Sequence, residues 1–245
     1  MSLDPDTPSS ARFWNALLDG KTRFSVDERL VDEMETLYPQ VRGLAQASRR
    51  FLATAVEYVI GHGVRQIIDL GAGLPTEPNT HEMAQHIARD ARVVYVDQDP
   101  VVLAHARALL TSTPEGATDY LDIDFFDRDR VLAEAGRTLD MDRPIAIMWM
   151  STLGHVAPER APRLVGDYLD ALPKGSYLAL CDTLTEETIE QANEQYAASG
   201  TQPYTARTQE DFERIAEGRE VVRPLEALLD RDGNTTQQYG LILRS

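Results

Sequence analysis

Cysteine is almost missing from this 245-residue chain: Cys181 is the only one. A lone thiol can close no internal disulfide and build no thiolate zinc site, so a reducing cytoplasm is the expected setting. Positive charge is scarce as well. The 24 Lys and Arg stand against 40 Asp and Glu, a net −16, and no basic cluster exceeds Arg49-Arg50. Proteins that dock on phosphate backbones display a basic footprint, so nucleic acid is not an expected partner. The acidity reads as a solubility device. No stretch approaches the ~18 consecutive apolar residues of a membrane span. The opening MSLDPDTPSSAR has neither the basic start nor the apolar core of a secretion signal. Repeats, low-complexity tracts, a P-loop and G-x-S-x-G are all absent, which weakens NTPase and serine-hydrolase readings. His81 and His86 come near H-E-x-x-H but stand one residue too far apart. Five helical residues turn ~140°, so the pair cannot easily share a metal. No metal site is expected, and Asn79, His81 and Glu82 take cap and packing roles.

What is present is the composition of an ordinary globular domain, of a length that suits one large α/β unit. Residues 1–10 are rich in Pro, Ser and Asp and are expected to be loose. Residues 11–62 read as helical, with apolar positions at Phe13, Leu17, Leu18, Val41, Leu44, Phe51, Leu52, Ala55, Val56 and Val59, and a stop at Gly61-His62-Gly63. From residue 65 short apolar runs alternate with amphipathic segments. Strands are expected at Gln66–Leu70, Arg92–Val96, Thr118–Leu121, Pro144–Met150 and Ser176–Cys181. Helices are expected near 79–89, 100–111, 128–136, 159–171, 186–199 and 208–217, and two last strands near Glu220–Arg223 and Gln237–Leu243. Continuous apolar strands between helices imply a parallel sheet covered on both faces.

The strongest local signal is Asp69-Leu70-Gly71-Ala72-Gly73-Leu74-Pro75, which follows a strand and precedes a helix. Gly71 and Gly73 permit a tight turn and a close ligand approach; the alternative is a purely structural turn. A dinucleotide loop would carry a third glycine where Thr76 stands. The carboxylate of Asp69 suits a cationic amino-acid ligand better than a pyrophosphate, and S-adenosyl-L-methionine has that ammonium and no phosphate. Asp97, at the end of the second strand, can accept from two ribose hydroxyls. Asp99-Pro100 makes the better helix cap and leaves Asp97, with Gln98 beside it, for the ligand. After the third strand, Asp124 can accept from an adenine amino group while Phe125 or Phe126 packs on the ring, unless the aromatics are core. Met150 and Ser151, at the fourth strand end, are candidates to face the sulfonium. His155 is close enough to serve as a general base, although a loop histidine is more often a surface residue.

The segments Ser10-Ala11-Arg12, Leu17–Lys21, Tyr38–Arg42, Arg49–Leu52, Asp69–Thr76, Asn79–Glu82 and Val93–Ala106 together resemble an S-adenosyl methyltransferase family common in actinobacteria, once catalogued as a domain of unknown function. The resemblance runs from about residue 9 to 244. It implies a Rossmann-like α/β fold, a seven-stranded mostly parallel sheet with helices on both faces and an N-terminal helical cover over the cofactor. Residues 1–62 would be that cover, lid-like within the same domain, and residues 63–245 the methyltransferase core. The family usually has a second Gly where Asp19 stands, Asn where Ser48 stands, and a Leu-His pair where this chain has Leu153-Gly154, with His155 next.

These observations lead to a methyltransferase that moves the methyl group of S-adenosyl-L-methionine to a small molecule, in specialised metabolism, leaving S-adenosyl-L-homocysteine. Arg12, Trp14, Asn15, Phe24 and Tyr38 are the candidates for the acceptor pocket, and Arg49 for the cofactor carboxylate. The cofactor carries the activated carbon, so no conspicuous catalytic pair is required. The rivals are a non-catalytic cofactor-binding sensor or partner protein, an NAD(P)-dependent oxidoreductase, and a cofactor-using cyclase or isomerase. Whether the protein is a monomer or a homodimer is open.

Overall fold

The computed structural model of the protein describes residues 6–102, 104 and 111–245. Its centre is β1 (Gln66–Leu70), β2 (Arg92–Asp97), β3 (Ala117–Asp122), β4 (Ala146–Met150) and β5 (Tyr177–Thr183), completed by β6 (Glu220–Leu229) and β7 (Thr235–Arg244). The seven strands run in the order β3-β2-β1-β4-β5-β7-β6. β1 pairs in parallel with β2 and β4, as does β2 with β3 and β4 with β5; β7 pairs antiparallel with β5 and β6. This is the seven-stranded, mostly parallel Rossmann-like sheet that the resemblance implies. Strand order reverses between β1 and β4, with β2 and β3 laid down to one side and β4 and β5 to the other, so the carboxyl ends of those parallel strands open the crevice in which such sheets bind ligands.

The inner strands are buried and largely apolar because both their faces are covered, with polar residues at their ends. Alternate residues divide between two cores. Ile68, Leu70, Val94, Val96, Ile147, Trp149, Leu178 and Leu180 point to one side. Ile67, Val93, Tyr95, Ala146, Met148, Ala179 and Cys181 point to the other. On the second side lies α3 (Val41–Gly61), whose Phe51, Leu52, Ala55, Val56 and Val59 recur at helical spacing and pack on the sheet. It ends where Gly63 takes the left-handed conformation, φ 90°. α4 (Thr80–Ile87) shares this face; α5 (Arg128–Ala135), α6 (Ala161–Asp170) and α8 (Gln209–Ala216) cover the other. The helix expected over 100–111 begins at Pro100, with Asp99 Oδ1 accepting from Val101 N at 2.8 Å as an N-cap. Residues 103 and 105–110 of that expectation lie outside the described residues.

The helical N-terminal segment consists of α1 (Ser10–Leu17), α2 (Ser25–Leu37) and α3. Phe13, Leu17, Leu30, Val31, Met34 and Tyr38 form a separate small core with the start of α3 and with α7 (Glu187–Ala198). α3 thus belongs to both bodies, its beginning to the cover and its remainder to the sheet. Residues 6–9 are not the loose lead expected of them. Ser9 caps α1 by accepting from Arg12 N at 3.2 Å, and Thr7, Pro8 and Ser9 line the main cavity. Asp19 has φ 60°, which explains why glycine suits that position in the family it resembles. Among the described residues no helix is long and apolar enough to cross a membrane.

Candidate functional site

A cavity of about 740 Å³ opens at the carboxyl ends of β1, β2 and β4, between the sheet and α1. Its floor is the loop after β1. Gly71 N donates to Val96 O at 2.8 Å, and Gly71 and Gly73 both sit in the left-handed region, at φ 66° and 65°. The two glycines do different work. A Cβ on Gly71 would stand 2.4 Å from Thr152 Cγ2, so this glycine lets the β1 and β4 loops touch. A Cβ on Gly73 would meet nothing within 4 Å, which leaves open space above the loop.

Two carboxylates stand at this floor. Asp69 is buried, accepts from Thr80 Oγ1 at 2.6 Å, and is pushed up to about 6 by burial, with the Thr80 hydroxyl and the Arg49 charge opposing. Asp97 Oδ2 accepts from Gly73 N at 2.8 Å and Oδ1 from Asp99 N at 2.9 Å. Burial raises its pKa too, against those backbone donors. Arg49 reaches over the loop from α3 and donates from Nη2 to Thr76 O at 2.9 Å and Pro78 O at 2.5 Å.

Of the residues singled out from sequence, the cavity gathers Asp69, Gly71, Gly73, Asp97, Gln98, Phe125, Met150, Ser151, Arg49, Arg12, Trp14, Asn15 and His155. Three stand apart from it. Asp124 closes its own turn, its Oδ1 accepting from Phe126 N at 2.9 Å. Tyr38 packs in the core of the cover. Phe24 lies under the Arg12 guanidinium, 4.9 Å from the ring centroid, in the α1–α2 junction. Two of those brought together carry structural duties as well. Arg12 is ion-paired with Asp27 at 2.8 Å, and Asn15 Oδ1 accepts from Thr22 N at 3.2 Å.

Sequence reasoning missed Ser48, Thr80, Tyr120, Thr152 and Gln202, which also line the cavity. Ser48 alone had a signal, because it departs from the family's usual Asn. It sits beneath Ser151, which holds φ 55° at the end of β4; Ser151 Oγ donates to Ser48 Oγ at 2.9 Å and accepts from Gln238 Nε2 at 2.9 Å.

His155 stands on a short 3₁₀ turn, Leu153–His155, after β4. Its Nδ1 is 2.8 Å from Pro203 O, an acceptor only, so Nδ1 carries the proton and Nε2 the lone pair. Ser10 Oγ lies 3.1 Å from Nε2 and donates to it. Burial lowers the imidazole pKa below its ordinary value, against the Pro203 bond. The neutral ring therefore presents a base to the cavity at neutral pH.

Residues 1–228 match the S-adenosyl methyltransferase family. The chain belongs to that family. The methyltransferase is 34% identical to a solved DUF574-family protein from Streptomyces avermitilis, over 99% of each chain and with a TM-score of 0.93. It is also 34% identical to a solved protein from Thermobifida fusca proposed to be a methyltransferase, over 98% of this chain and 96% of that one, TM-score 0.87. The fold alone is shared with 1,6-didemethyltoxoflavin-N1-methyltransferase of Burkholderia thailandensis: 12% identity, 89% of this chain and 88% of that one, TM-score 0.53. No curated protein sequence matches the methyltransferase. Its cofactor is S-adenosyl-L-methionine. The floor of the cavity fits that group. The carboxylates of Asp69 and Asp97 are chemistry that suits a cationic amino acid and a diol, and Gly73 leaves the space above the loop free.

Proposed function

We propose that the enzyme methylates a hydroxyl or N–H of an uncharged small molecule whose flat face rests on Trp14, with His155 taking the proton. The observation that carries this reading is the His155 Nε2 lone pair, turned to Ser10 in the same cavity as the glycine loop. The bound cofactor supplies an activated methyl carbon on a sulfonium. Asp69 and Arg49 would hold its amino-acid end, Asp97 its ribose, Phe125 its adenine, and Met150 with Ser151 the sulfonium side. On the acceptor side Ser10, Trp14, Asn15, Gln202 and His155 offer an aromatic face and neutral hydrogen-bonding groups. Arg12, the cation on that side, has its charge matched by Asp27. A carboxylate or phosphate acceptor would therefore find no well-placed partner, and the −16 net charge further disfavours a polyanion.

The test is methyl transfer from labelled cofactor to a panel of phenols and neutral N-heterocycles, read as a one-methyl mass gain. Turnover is expected on members of this panel, and not on their carboxylated or phosphorylated analogues. His155→Gln should lower kcat by about 100-fold, the low end of general-base effects, and leave cofactor affinity unchanged. The lowered imidazole pKa predicts a rate that holds flat through neutral pH and falls only as the ring protonates on the acid side. Preference for anionic acceptors, or full kcat in His155→Gln, would sink the reading.

Asp69 makes a separate prediction. Its pKa of about 6 belongs to the free protein. A ligand ammonium favours the ionised carboxylate, so below that value binding must expel a proton. Cofactor affinity should fall about tenfold from pH 7.5 to pH 5, and Asp69→Asn should flatten the dependence. Calorimetry in two buffers of different ionisation heat would count the proton directly.

A further inference from the structure

We propose that Arg207, acting through Asp182 and Tyr204, is the positioning residue that fixes the direction in which His155 presents its lone pair. This rests on the reading of His155 as the base. Arg207 is fully buried, on the strap between α7 and α8. Its Nη2 donates to Leu153 O and Val156 O, which flank the turn that bears His155. Its Nε lies 3.8 Å from Asp182 Oδ2, at the end of β5. Asp182 Oδ1 accepts from the Tyr204 hydroxyl. The Tyr204 ring meets the His155 ring edge-on at 5.4 Å, and it occupies the volume a Cβ on Gly154 would need, 2.3 Å from Tyr204 Cε2. Thr205 N donates to Gly154 O at 2.8 Å, and Pro203 O accepts from Nδ1–H of His155 at 2.8 Å. One strap thus holds the turn at both flanks, packs one face of the imidazole and sets its tautomer.

A buried arginine placed only for stability would be costly, because desolvation commonly outweighs the ion-pair gain. Here its Nη2 donates to two carbonyls of one functional turn, while Nε faces Asp182 at ion-pair distance and Nε and Nη1 have no hydrogen-bond partner among the described residues. The same assembly continues to the cavity floor: Thr183 N donates to the Tyr204 hydroxyl at 3.4 Å, Thr183 Oγ1 donates to Gln238 Oε1 at 3.1 Å, and Gln238 holds Ser151. The amide of Gln238 does not relay protons, so this chain fixes geometry and does not conduct. It also accounts for Gly154 where the family it resembles usually has histidine. A side chain at 154 would displace Tyr204, and the imidazole is carried one residue later.

Ionisable side chains on the elements around His155 include Arg12 on α1, Asp182 on β5, Tyr196 on α7, and Tyr204 and Arg207 on the strap. The test is ¹⁵N NMR of the imidazoles in the full-length protein with S-adenosyl-L-homocysteine added, His155 assigned by its loss in His155→Gln. Wild type should show a single Nδ1-protonated tautomer with a depressed pKa. Arg207→Gln should show exchanging tautomers and a pKa that rises towards the ordinary value of about 6.5. Arg207→Lys, which keeps the charge but loses the fork, should give an intermediate signal. Tyr204→Phe keeps the ring on Gly154 and should move His155 in the same direction by less, so the test survives a misfolded Arg207 variant. Unchanged His155 signals in every folded member of the set overturn the proposal. The readout needs no acceptor, so a failed acceptor screen would count against the proposed reaction and leave this result standing.

Discussion

Asp97→Ala should weaken S-adenosylmethionine and S-adenosylhomocysteine binding by about 100- to 1,000-fold, with little change in the stability of the free protein. Each carboxylate oxygen of Asp97 already accepts one backbone N–H, from Gly73 and from Asp99. Each keeps lone-pair capacity for one ribose hydroxyl. Hydrogen bonds to a charged group contribute about 1.5–3 kcal/mol each. Two of them therefore give at least ~3 kcal/mol, or roughly two decades of affinity. Loss of the Gly73 contact loosens the loop and adds to the effect. Asp97→Asn should fail almost as badly, because its NH₂ must face one of those two backbone donors. Calorimetric titration with both ligands measures the loss. Affinity within a few-fold of wild type in the Ala variant would remove Asp97 from the cofactor site.

Much of this arrangement was legible in the residues, for physical reasons. The strands covered on both faces are largely apolar runs, so β1, β2, β4 and β5 could be located to within two residues at each end. Glycines and carboxylates at the ends of β1 and β2 marked the crevice, because strand ends in a parallel sheet converge on the ligand. Legibility failed where order comes from distant contacts. β6 reads as four residues and is ten, since Pro224, Glu226 and its register shifts break the alternation of an edge strand. Residues 6–9 carry no periodicity, yet Ser9 caps α1 and its N–H lies 3.4 Å from Asp27 Oδ1. Tyr38 and Phe24 had the right chemistry for an acceptor pocket but face the cover's own core and the α1–α2 junction. The strap that grips the His155 turn has no sequence signature at all. Arg207 is a lone basic residue in a polar stretch, and only the fold brings it beside Leu153 and Asp182.

The cover is also where the largest loss of stability is expected. Arg12 and Asp27 form an ion pair whose side chains are 3% and 0% exposed. Asp27 further accepts from Phe24 N at 2.8 Å and so ties the start of α2 to α1. Arg12→Met leaves a buried carboxylate without its cation, a cost of about 3–5 kcal/mol. For a chain of this size that is a fall of about 10 °C in Tm. Arg12→Met combined with Asp27→Leu should recover most of it, because the unpaired charge is gone; about 1 kcal/mol of lost capping remains. Hydrogen exchange would show where the cost falls. The cover has its own small core, so α1 and α2 should lose protection in Arg12→Met while β1 and β4 keep theirs. Cofactor affinity should fall with them, since residues 7–12, 14 and 15 of this segment line the cavity. The double variant then separates the two duties of Arg12. If it restores stability and acceptor turnover together, the guanidinium serves only to hold the roof. If it restores stability alone, Arg12 also meets the acceptor, and the uncharged-acceptor reading must give way.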